Sequence, residues 1–361
     1  MRFLFRNRTK EQNNPQMAGL PDNKSRTGSG VVVAVCGGVL LVGVVVFTLL
    51  SSTSFLKDGM ETLLDKASAL SVLKSTMNEC KKGSIRKILL DETKYPEALC
   101  IDGSRPAYYL RKGYGDGENK WFVHFEGGGW CYDYAQCVQR KKTPVGSSNK
   151  YPTCIESDSM KFYMSSLEAN NPMMYNWNVV HVRYCDGSSY AGDTTVTYEQ
   201  DTLYFRGRYN RDGTILSLLR EHNMAIAAEV VISGCSAGGL GIYLGLDHIA
   251  SLIKSANANT RIRGLSDSGF FLDHTSDASF SKPRPGMTKY EAHVNGILDY
   301  ATTMKRIYDF MNVSAGTNRR CVMKEKTSTG ESSNCIFAQN LAPHIRTPLF
   351  AVQPKYDQVK M

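Results

Sequence analysis

Short apolar runs alternate with segments of helical period over most of the chain after residue 120. Five of the runs have the length and the β-branched or aromatic content of buried strands: residues 120–126, 178–184, 229–233, 261–266 and 348–353. The segments between them repeat their apolar residues at helical spacing, as residues 242–253 do. This alternation predicts an α/β fold with a mostly parallel sheet and helices on both faces.

The amino terminus follows a different pattern. Residues 31–50 form a run of twenty without a charge, which is long enough to span a bilayer and longer than the core of roughly 7–15 residues in a cleaved signal. Residues 1–30 carry six basic and two acidic side chains, and such a flank stays on the cytosolic side. The pattern predicts a basic cytoplasmic tail at 1–30 and a transmembrane signal anchor at 31–50. The chain would then be a single-pass type II membrane protein with its bulk in the lumen or outside; secretion after signal cleavage near residues 51–54 is the alternative.

Two further regions complete the predicted domain organisation. Residues 57–79 place apolar side chains at helical spacing, and the segment 51–84 is assigned to a stem or linker helix. A first helix packed on the folded domain is the alternative. Residues 85–361 hold the folded domain, and their number allows one large α/β unit. Hydrophobic residues make up 42% of the chain, which is ordinary for a packed core.

The net charge is mildly basic. It is +9 for the whole chain, and residues 1–30 contribute +4 of this, so that the remainder carries +5. A basic surface favours a polyanionic partner, although the cluster Arg140, Lys141 and Lys142 fits a solvated loop equally well. The sequence has no nucleotide-binding fingerprint, no aromatic-basic platform and no cysteine or histidine spacing that fits zinc. We therefore expect no nucleic-acid partner, no metal and no cofactor.

A strand-to-helix junction around Ser236 carries the first chemical signal. Residues 232–241 follow an apolar run and contain the pattern Gly-x-Ser-x-Gly, with Gly234 and Gly238 on either side of the serine. A nucleophile elbow has this layout: a strand, a sharp strained turn with the serine at its apex, and a helix. Both glycines are needed there because a Cβ would strike the neighbouring strand or helix. The alternative interpretation is a glycine-rich loop with no chemistry.

A second signal lies earlier in the chain. The alternating run at 120–126 leads into Gly127, Gly128 and Gly129, which Trp130 follows. In α/β-hydrolases the loop after an early strand supplies backbone N–H donors to the oxyanion hole, and glycines let the backbone turn its amides inward. An ordinary tight turn is the alternative.

Seven segments resemble the pectin acetylesterase family in their order and spacing: residues 99–109, 123–131, 175–178, 182–189, 205–207, 233–239 and 265–271. The resemblance covers roughly residues 88–361 and is closest to the plant-like branch, which removes acetyl groups from cell-wall pectin. The animal branch, the Notum-type carboxylesterases, removes a fatty acyl group from a secreted signalling protein. Either branch implies an α/β-hydrolase fold and a serine esterase with a Ser-His-Asp triad.

The resemblance also implies roles for individual residues. Ser236 would be the nucleophile and Asp357 the acid of the triad. The backbone N–H groups of Gly129, Trp130 and Ala237 would hold the oxyanion. The expected function is removal of acetyl groups from cell-wall pectin or a similar acetylated glycan. Three alternatives stay open: acetyl removal from another glycan, a Notum-type esterase with a deep apolar pocket, and an inactive carbohydrate-binding relative.

The triad acid has more than one candidate. Asp357 follows the last predicted strand, at 348–353, which is where the family's acid lies. Asp267 and Asp273 follow the preceding strand and are the second choices, and Asp267 is favoured as a carboxylate that shapes its loop.

The triad histidine has no clear candidate. The family places it beyond the acid in a Cys-x-x-His segment, whereas this chain ends at Met361 and contains no such segment. Without a general base Ser236 is a weak nucleophile, so we expect an incomplete copy of an esterase or an inactive relative, and the first is favoured. Of the seven histidines, only His274 could approach the site, and none is a convincing substitute. The other six are expected on strands (His124 and His181), on helices (His222 and His248), at the far end of the sheet (His344) and in a polar stretch (His293).

The ten cysteines fit an oxidising compartment, in agreement with the predicted topology. Cys36 lies within the predicted membrane span, and Cys235 is predicted to be a small buried filler. Among the others, the family resemblance implies three disulfides and leaves Cys80 and Cys154 open. The implied pairs are Cys131 with Cys137, Cys100 with Cys185, and Cys321 with Cys335.

Overall fold

An eight-stranded sheet forms the centre of the structure, a computed structural model that describes Cys80 and residues 84–273 and 300–355. All of these residues belong to one compact unit, Lys74–Met361. The predicted tail and the predicted signal anchor lie outside the described residues, as does most of the predicted stem. Within the described ranges, no helix is both long enough and apolar enough to cross a membrane.

The described part of the chain contains ten strands. In chain order they are β1 (Ser84–Leu89), β2 (Ala107–Arg111), β3 (Lys120–Phe125), β4 (Cys154–Glu156), β5 (Asn178–Val182), β6 (Thr194–Tyr198), β7 (Asp201–Phe205), β8 (Glu229–Cys235), β9 (Arg261–Asp267) and β10 (Leu349–Val352). The five strands expected from the apolar runs are β3, β5, β8, β9 and β10. Their observed ends differ from the predicted ones by at most two residues.

The strand order in the main sheet is β10-β9-β8-β3-β5-β2-β1-β4. The first five strands in this order are parallel neighbours, which confirms the prediction of a mostly parallel central sheet. The remaining three continue the sheet as antiparallel strands, and β6 and β7 form a separate hairpin. Because parallel strands direct their carboxyl ends to one edge, the loops after β3, β8 and β9 meet at that edge.

Six α-helices lie within the described residues. They are α1 (Tyr134–Arg140), α2 (Gly207–Glu221), α3 (Ala237–Ala256), α4 (Tyr300–Phe310), α5 (Arg319–Ser328) and α6 (Ala338–Leu341). The longest is α3, which follows β8 directly and packs on β8 and β9 and against α2. Its burial between these elements explains why most of its residues are apolar or small.

The two faces of the sheet are covered differently. Because side chains alternate along a strand, Val123 points into one apolar cluster and Phe122 into another. Each of the six described helices contributes buried side chains to the first cluster. The second cluster is completed by Met160 and Trp177, from the irregular connection between β4 and β5. The described residues therefore differ from the prediction of helices on both faces, since this connection packs on the sheet without forming an α-helix.

Four disulfides stabilise the described residues. The three pairs implied by the family resemblance are all confirmed: Cys100–Cys185, Cys131–Cys137 and Cys321–Cys335. The fourth joins Cys80 to Cys154, the two cysteines whose pairing the sequence left open. It ties the chain before β1 to β4 at the antiparallel edge of the sheet.

A buried ion pair holds α2 against its neighbours. Arg211, only 3% exposed, donates from Nε to Asp212 Oδ1 at 2.8 Å and from Nη1 to the Gly316 carbonyl at 2.9 Å. The second oxygen of Asp212 lies 3.0 Å from Nε2 of His248 on α3. Burial alone would raise the pKa of the Asp212 carboxyl, but the Arg211 guanidinium and the hydrogen bond from His248 lower this pKa from 3.8 to about 2.

The lowered pKa of Asp212 predicts acid lability between pH 4 and pH 2. A carboxyl whose pKa is lower in the folded state stabilises the fold fully above its unfolded pKa, and this contribution is lost as the pH falls through the folded pKa. We expect Asp212 to contribute about 2 kcal/mol to the free energy of unfolding above pH 4. Urea unfolding of the wild type and of Asp212→Asn at several pH values measures this contribution to the free energy of unfolding. The variant should be less stable than the wild type at pH 5 and should lose less stability towards pH 2. If the free energies of unfolding of the two proteins fall in parallel with pH, the pKa of Asp212 is not lowered in the folded state.

Candidate active site

Ser236 occupies the turn between β8 and α3. Since β8 ends at Cys235 and α3 begins at Ala237, the serine is the only residue of the turn. Its backbone has φ 54° and ψ −122°, a conformation that costs about 1–3 kcal/mol and persists only where the surroundings hold it. Here the Ser236 N–H donates to the Asp267 carbonyl and the Ser236 carbonyl accepts from the Leu240 N–H, each at 2.9 Å. The turn has the backbone geometry that a nucleophile elbow requires.

The glycines on either side of Ser236 stand where no side chain fits. A Cβ on Gly238 would lie 2.1 Å from the carbonyl oxygen of Phe125, at the end of β3. A Cβ on Gly234 would lie 2.4 Å from the carbonyl oxygen of Gly238. The obstacles are backbone atoms, which cannot rotate away. The steric reason predicted for these glycines therefore holds in the structure, and the side chain of Ser236 is left partly exposed.

The loop after β3 lies against the serine. A Cβ on Gly127 would come within 2.9 Å of Ser236 Cβ, so the two backbones touch. Gly128 and Gly129 follow with φ of +154° and +63°, and the second value lies in the left-handed region that favours glycine. On the other side of Ser236, the first N–H groups of α3, starting with that of Ala237, have no partner within the helix and lie at its positive end. The fold therefore places the start of the glycine loop and the amino terminus of α3 beside the serine.

Trp130 closes the glycine loop and is itself held in place. Its Nε1–H donates to Ser189 Oγ at 2.9 Å, and its ring packs edge-on against Phe271 with 5.1 Å between the centroids. Ser189 and the next residue, Tyr190, have φ of 54° and 58°. Trp130 thus rests on a strained turn after β5, a support that the sequence did not reveal.

Asp186 builds that turn. Its Oδ1 accepts hydrogen bonds from the backbone N–H groups of Ser188 and Tyr190, at 2.9 and 3.1 Å, and from the Ser188 hydroxyl. The carboxyl is fully buried, and burial raises its pKa above 3.8. An aspartate that accepts from the N–H two residues on is an Asx turn. The run Asp-Gly-Ser-Ser after a strand is typical of such a turn, so the turn could have been found in the sequence although its partner Trp130 could not.

The acid candidates have different positions. Asp357 lies outside the described residues. Asp267 ends β9 next to the elbow, where Oδ2 accepts from the Tyr163 hydroxyl at 3.4 Å and Oδ1 from the Ser268 hydroxyl at 2.9 Å. These contacts, together with its carbonyl on the Ser236 N–H, fit the loop-shaping carboxylate that the sequence favoured. Asp273 is exposed on the loop after β9.

Two of the described histidines, His124 and His181, lie side by side on neighbouring strands of the sheet. His124 Nδ1 lies 3.2 Å from Ser233 Oγ, and burial lowers its pKa to about 4 despite the nearby Asp267. His181, on the adjacent strand, has its pKa lowered to about 3 by burial and by the charges of His124 and Arg183. Both lie on strands, as predicted. In the ranges that the structure covers, no histidine is hydrogen-bonded to Ser236; the positions 274 and 293 lie outside them.

Two sequence interpretations near the site need correction. Cys235, expected to be buried, is partly exposed at the end of β8, because the strand ends there at the open edge of the sheet. The basic cluster at 140–142 was considered as a solvated loop, but two of its three side chains have partners in the fold. Arg140 ends α1 and binds backbone carbonyls, and Lys141 is paired with Asp201. Among the described residues, no three His, Cys, Asp or Glu side chains are grouped as metal ligands would be.

Comparison with known proteins adds a family context to this geometry. The sequence profile of the family described as Pectinacetylesterase matches residues 79–361. Pectin acetylesterase 5 of Arabidopsis thaliana is 34% identical over 72% of this chain and 54% of its own length. Palmitoleoyl-protein carboxylesterase NOTUM of Homo sapiens is 28% identical over 73% of this chain and 49% of its own. The chain thus spans about half the length of these relatives.

A solved structure shares the fold. The Wnt deacylase Notum from Drosophila superposes with a TM-score of 0.64 and 25% sequence identity, over 77% of this chain and 73% of that chain. The α/β architecture with a mostly parallel central sheet is therefore common to both proteins.

Proposed function

This chain belongs to the pectin acetylesterase family, and from that premise we propose that it is a serine carboxylesterase that removes acetyl groups from cell-wall pectin or a similar acetylated polysaccharide. The observation that carries the proposal is the contact between Ser236, on its strained turn, and the glycine loop that begins at Gly127. Acyl transfer requires both a nucleophile held clear of the sheet and amides beside it for the oxyanion. The sequence similarity to plant pectin acetylesterases supports an acetyl ester of a polysaccharide as the substrate.

The proposed reaction has two halves. Ser236 Oγ attacks the acetyl carbonyl carbon, and the carbonyl oxygen becomes an oxyanion held by the N–H groups of Gly129, Trp130 and Ala237. Collapse of this intermediate breaks the bond to the sugar oxygen, which leaves with a proton, and an acetyl-enzyme remains. Water then attacks the acetyl carbon through the same intermediate, and acetate and free Ser236 are released.

The proton of Ser236 needs a general base. In the proposed triad a histidine takes this proton, and Asp357 orients that histidine and stabilises its charged form. No described histidine is hydrogen-bonded to Ser236, so we assign no numbered residue to this role. We therefore propose numbered residues only for the nucleophile, the acid and the oxyanion donors.

The compartment follows from the cysteines. Four disulfides among the described residues support an oxidising environment. We therefore propose that the esterase domain works in the lumen of the secretory pathway or outside the cell, where a polysaccharide substrate would be met. The signal anchor at 31–50 stays a sequence prediction.

The test is acetate release by the full chain, expressed through a secretory pathway so that its disulfides form. We expect acetate from acetylated pectin, none from pectin that has been chemically deacetylated, and no release of fatty acid from a palmitoleoylated peptide. Faster release of palmitoleate than of acetate would overturn the proposal in favour of a Notum-type activity. Binding of pectin without acetate release, equal in the wild type and in Ser236→Ala, would identify an inactive carbohydrate-binding relative.

A further inference from the structure

Arg140, the last residue of α1, directs its whole guanidinium group at backbone carbonyls. Nη2 donates to the carbonyls of Gly128 and Gly129 at 2.9 and 3.3 Å, and Nη1 donates to that of Trp130 at 3.3 Å. Nε donates to the Val145 carbonyl at 3.0 Å. Three consecutive carbonyls of the glycine loop are therefore bound by one side chain.

The bound carbonyls belong to the peptides that matter for the oxyanion. In a trans peptide the C=O and N–H groups point in opposite directions. The Gly128 carbonyl shares its peptide with the Gly129 N–H, and the Gly129 carbonyl shares its peptide with the Trp130 N–H. These are two of the three predicted oxyanion donors. Arg140 thus holds both donor peptides from behind and leaves their N–H groups facing away from the guanidinium.

Glycine makes this restraint necessary. Gly129 has φ +63°, and a Cβ placed on it would meet no atom within 4 Å. A residue without a side chain, and with open space where a Cβ would stand, can rotate its peptides at little cost. Without a fixed partner on the carbonyl side, the Gly129 and Trp130 N–H groups would sample other directions, and preorganised donors are what lowers the barrier for acyl transfer.

The charge of Arg140 has an electrostatic consequence as well. Within the described part of the chain, no carboxylate lies within ion-pair distance of its guanidinium. The guanidinium carbon of Arg140 lies 5.4 Å from the centre of the Tyr184 ring, so that the ring covers one face of the guanidinium. A cation on the carbonyl side polarises each peptide and strengthens its N–H as a donor, because hydrogen bonds in a chain reinforce one another.

Arg140 itself sits on a short, braced helix. The side chain of Asp133 caps the first turn of α1 by accepting from the Gln136 N–H at 2.9 Å. The disulfide Cys131–Cys137 links the residue after the glycine loop to α1. Loop, helix and guanidinium therefore form one small closed unit, named here the glycine-loop brace (residues 127–140).

We infer that Arg140 is the positioning residue of the oxyanion hole: it fixes the donor peptides of Gly129 and Trp130 from their carbonyl side. This inference rests on the proposed esterase function, because only that function makes the two N–H groups oxyanion donors. It assigns Arg140 no contact with the substrate.

The first test is kinetic. We expect Arg140→Gln to lower kcat for acetate release about 10²- to 10³-fold with KM changed less than about threefold, because the restraint matters in the transition state rather than in substrate binding. Arg140→Lys should recover part of the loss, since an ammonium keeps the charge but cannot reach three carbonyls at once. Arg111→Lys is the matched control. Arg111 also binds backbone carbonyls, those of Met164, Ser165 and Tyr175, but it lies near the amino end of β5, at the end of the parallel strands opposite the candidate site. Its kcat should equal that of the wild type.

A second measurement does not depend on activity. The sulfurs of Cys131–Cys137 belong to almost fully buried residues, so reduction by dithiothreitol, followed by mass spectrometry, reports how often the brace opens. Arg140→Gln should be reduced at this disulfide at least about tenfold faster than the wild type and Arg111→Lys, with the other three disulfides unaffected. An unchanged reduction rate would overturn the inference, and so would an unchanged kcat in an active enzyme. If the wild type releases no acetate, the proposed function fails, and the reduction rate still decides whether Arg140 holds the loop.

Discussion

Replacement of Ser236 by alanine is expected to reduce acetate release by about 10⁴-fold or more where a histidine serves as its general base, which is the scale of loss when a triad nucleophile is removed. The chemical reason is that in the proposed mechanism Oγ forms the bond to the acetyl carbon, and an alanine methyl group cannot take its place. Residual hydrolysis would come from the oxyanion donors and from substrate binding alone. Acetate release from acetylated pectin by the purified full chain measures the effect.

The fold should tolerate this change. In the described structure Ser236 is held by its backbone, through Asp267 and Leu240, and its side chain forms no hydrogen bond there. Alanine adopts the same strained backbone at a similar cost, so we expect the free energy of unfolding to change by less than about 1 kcal/mol. Ser255→Ala is the matched control, because Ser255 lies on α3, the helix that follows Ser236, is exposed, and donates its hydroxyl to the Leu252 carbonyl at 2.7 Å. Equal activity of Ser236→Ala and the wild type would mean that another group is the nucleophile.

The parallel core of the fold could be predicted from local sequence pattern. Strands buried on both faces form continuous apolar runs, and the runs that become β3, β5 and β8 stood out for that reason. The positions of β9 and β10 were predicted correctly but their burial was not: β9 alternates buried with more exposed residues, and β10, at the edge of the sheet, has no buried residue. The strained strand-to-helix turn at Ser236 was predictable too, because glycines two residues before and after a serine, between a strand and a helix, have few other structural explanations. Both signals lie within about ten consecutive residues, which is the distance over which sequence pattern is informative.

The supports of the site could not be predicted in this way. Arg140 lies eleven residues after Gly129, in a cluster of three basic residues, and such clusters are most often solvated. Only the folded chain shows that the Arg140 guanidinium turns back to the glycine loop. Ser189 meets Trp130 across 59 residues of sequence. Contacts of this kind depend on which loops converge at the sheet edge, and the sequence carries no periodic signal for them. The pairing of Cys80 with Cys154 was open for the same reason.

The irregular cover of the second sheet face is a related case. The sequence predicted helices on both faces because parallel strands usually alternate with helices. The connection that supplies Met160 and Trp177 instead forms short 3₁₀ turns. It joins β4, an antiparallel edge strand, to β5, so it is not a crossover between parallel neighbours, and the rule that demands a helix does not apply to it.

Gly238→Ala is expected to damage both stability and catalysis. The new Cβ would lie 2.1 Å from the Phe125 carbonyl oxygen and 2.6 Å from that of Glu126, and both are backbone atoms at the end of β3. The amino terminus of α3 must then move away from β3, and Ser236 moves with it, away from the glycine loop that continues β3. We expect a loss of about 3 kcal/mol in the free energy of unfolding, at the upper end of the range for overpacking. We also expect a fall of about 10²-fold in kcat from the misplaced nucleophile.

The control for this variant is Gly330→Ala. Gly330 has φ +80° and open space around it, so alanine there introduces only the left-handed backbone penalty of roughly 1–2 kcal/mol and should leave kcat unchanged. Urea unfolding and acetate release, measured on both variants, separate steric displacement at the elbow from the general cost of replacing glycine. If Gly238→Ala is no less stable than Gly330→Ala and keeps the wild-type kcat, then close contact between α3 and β3 is not what positions Ser236.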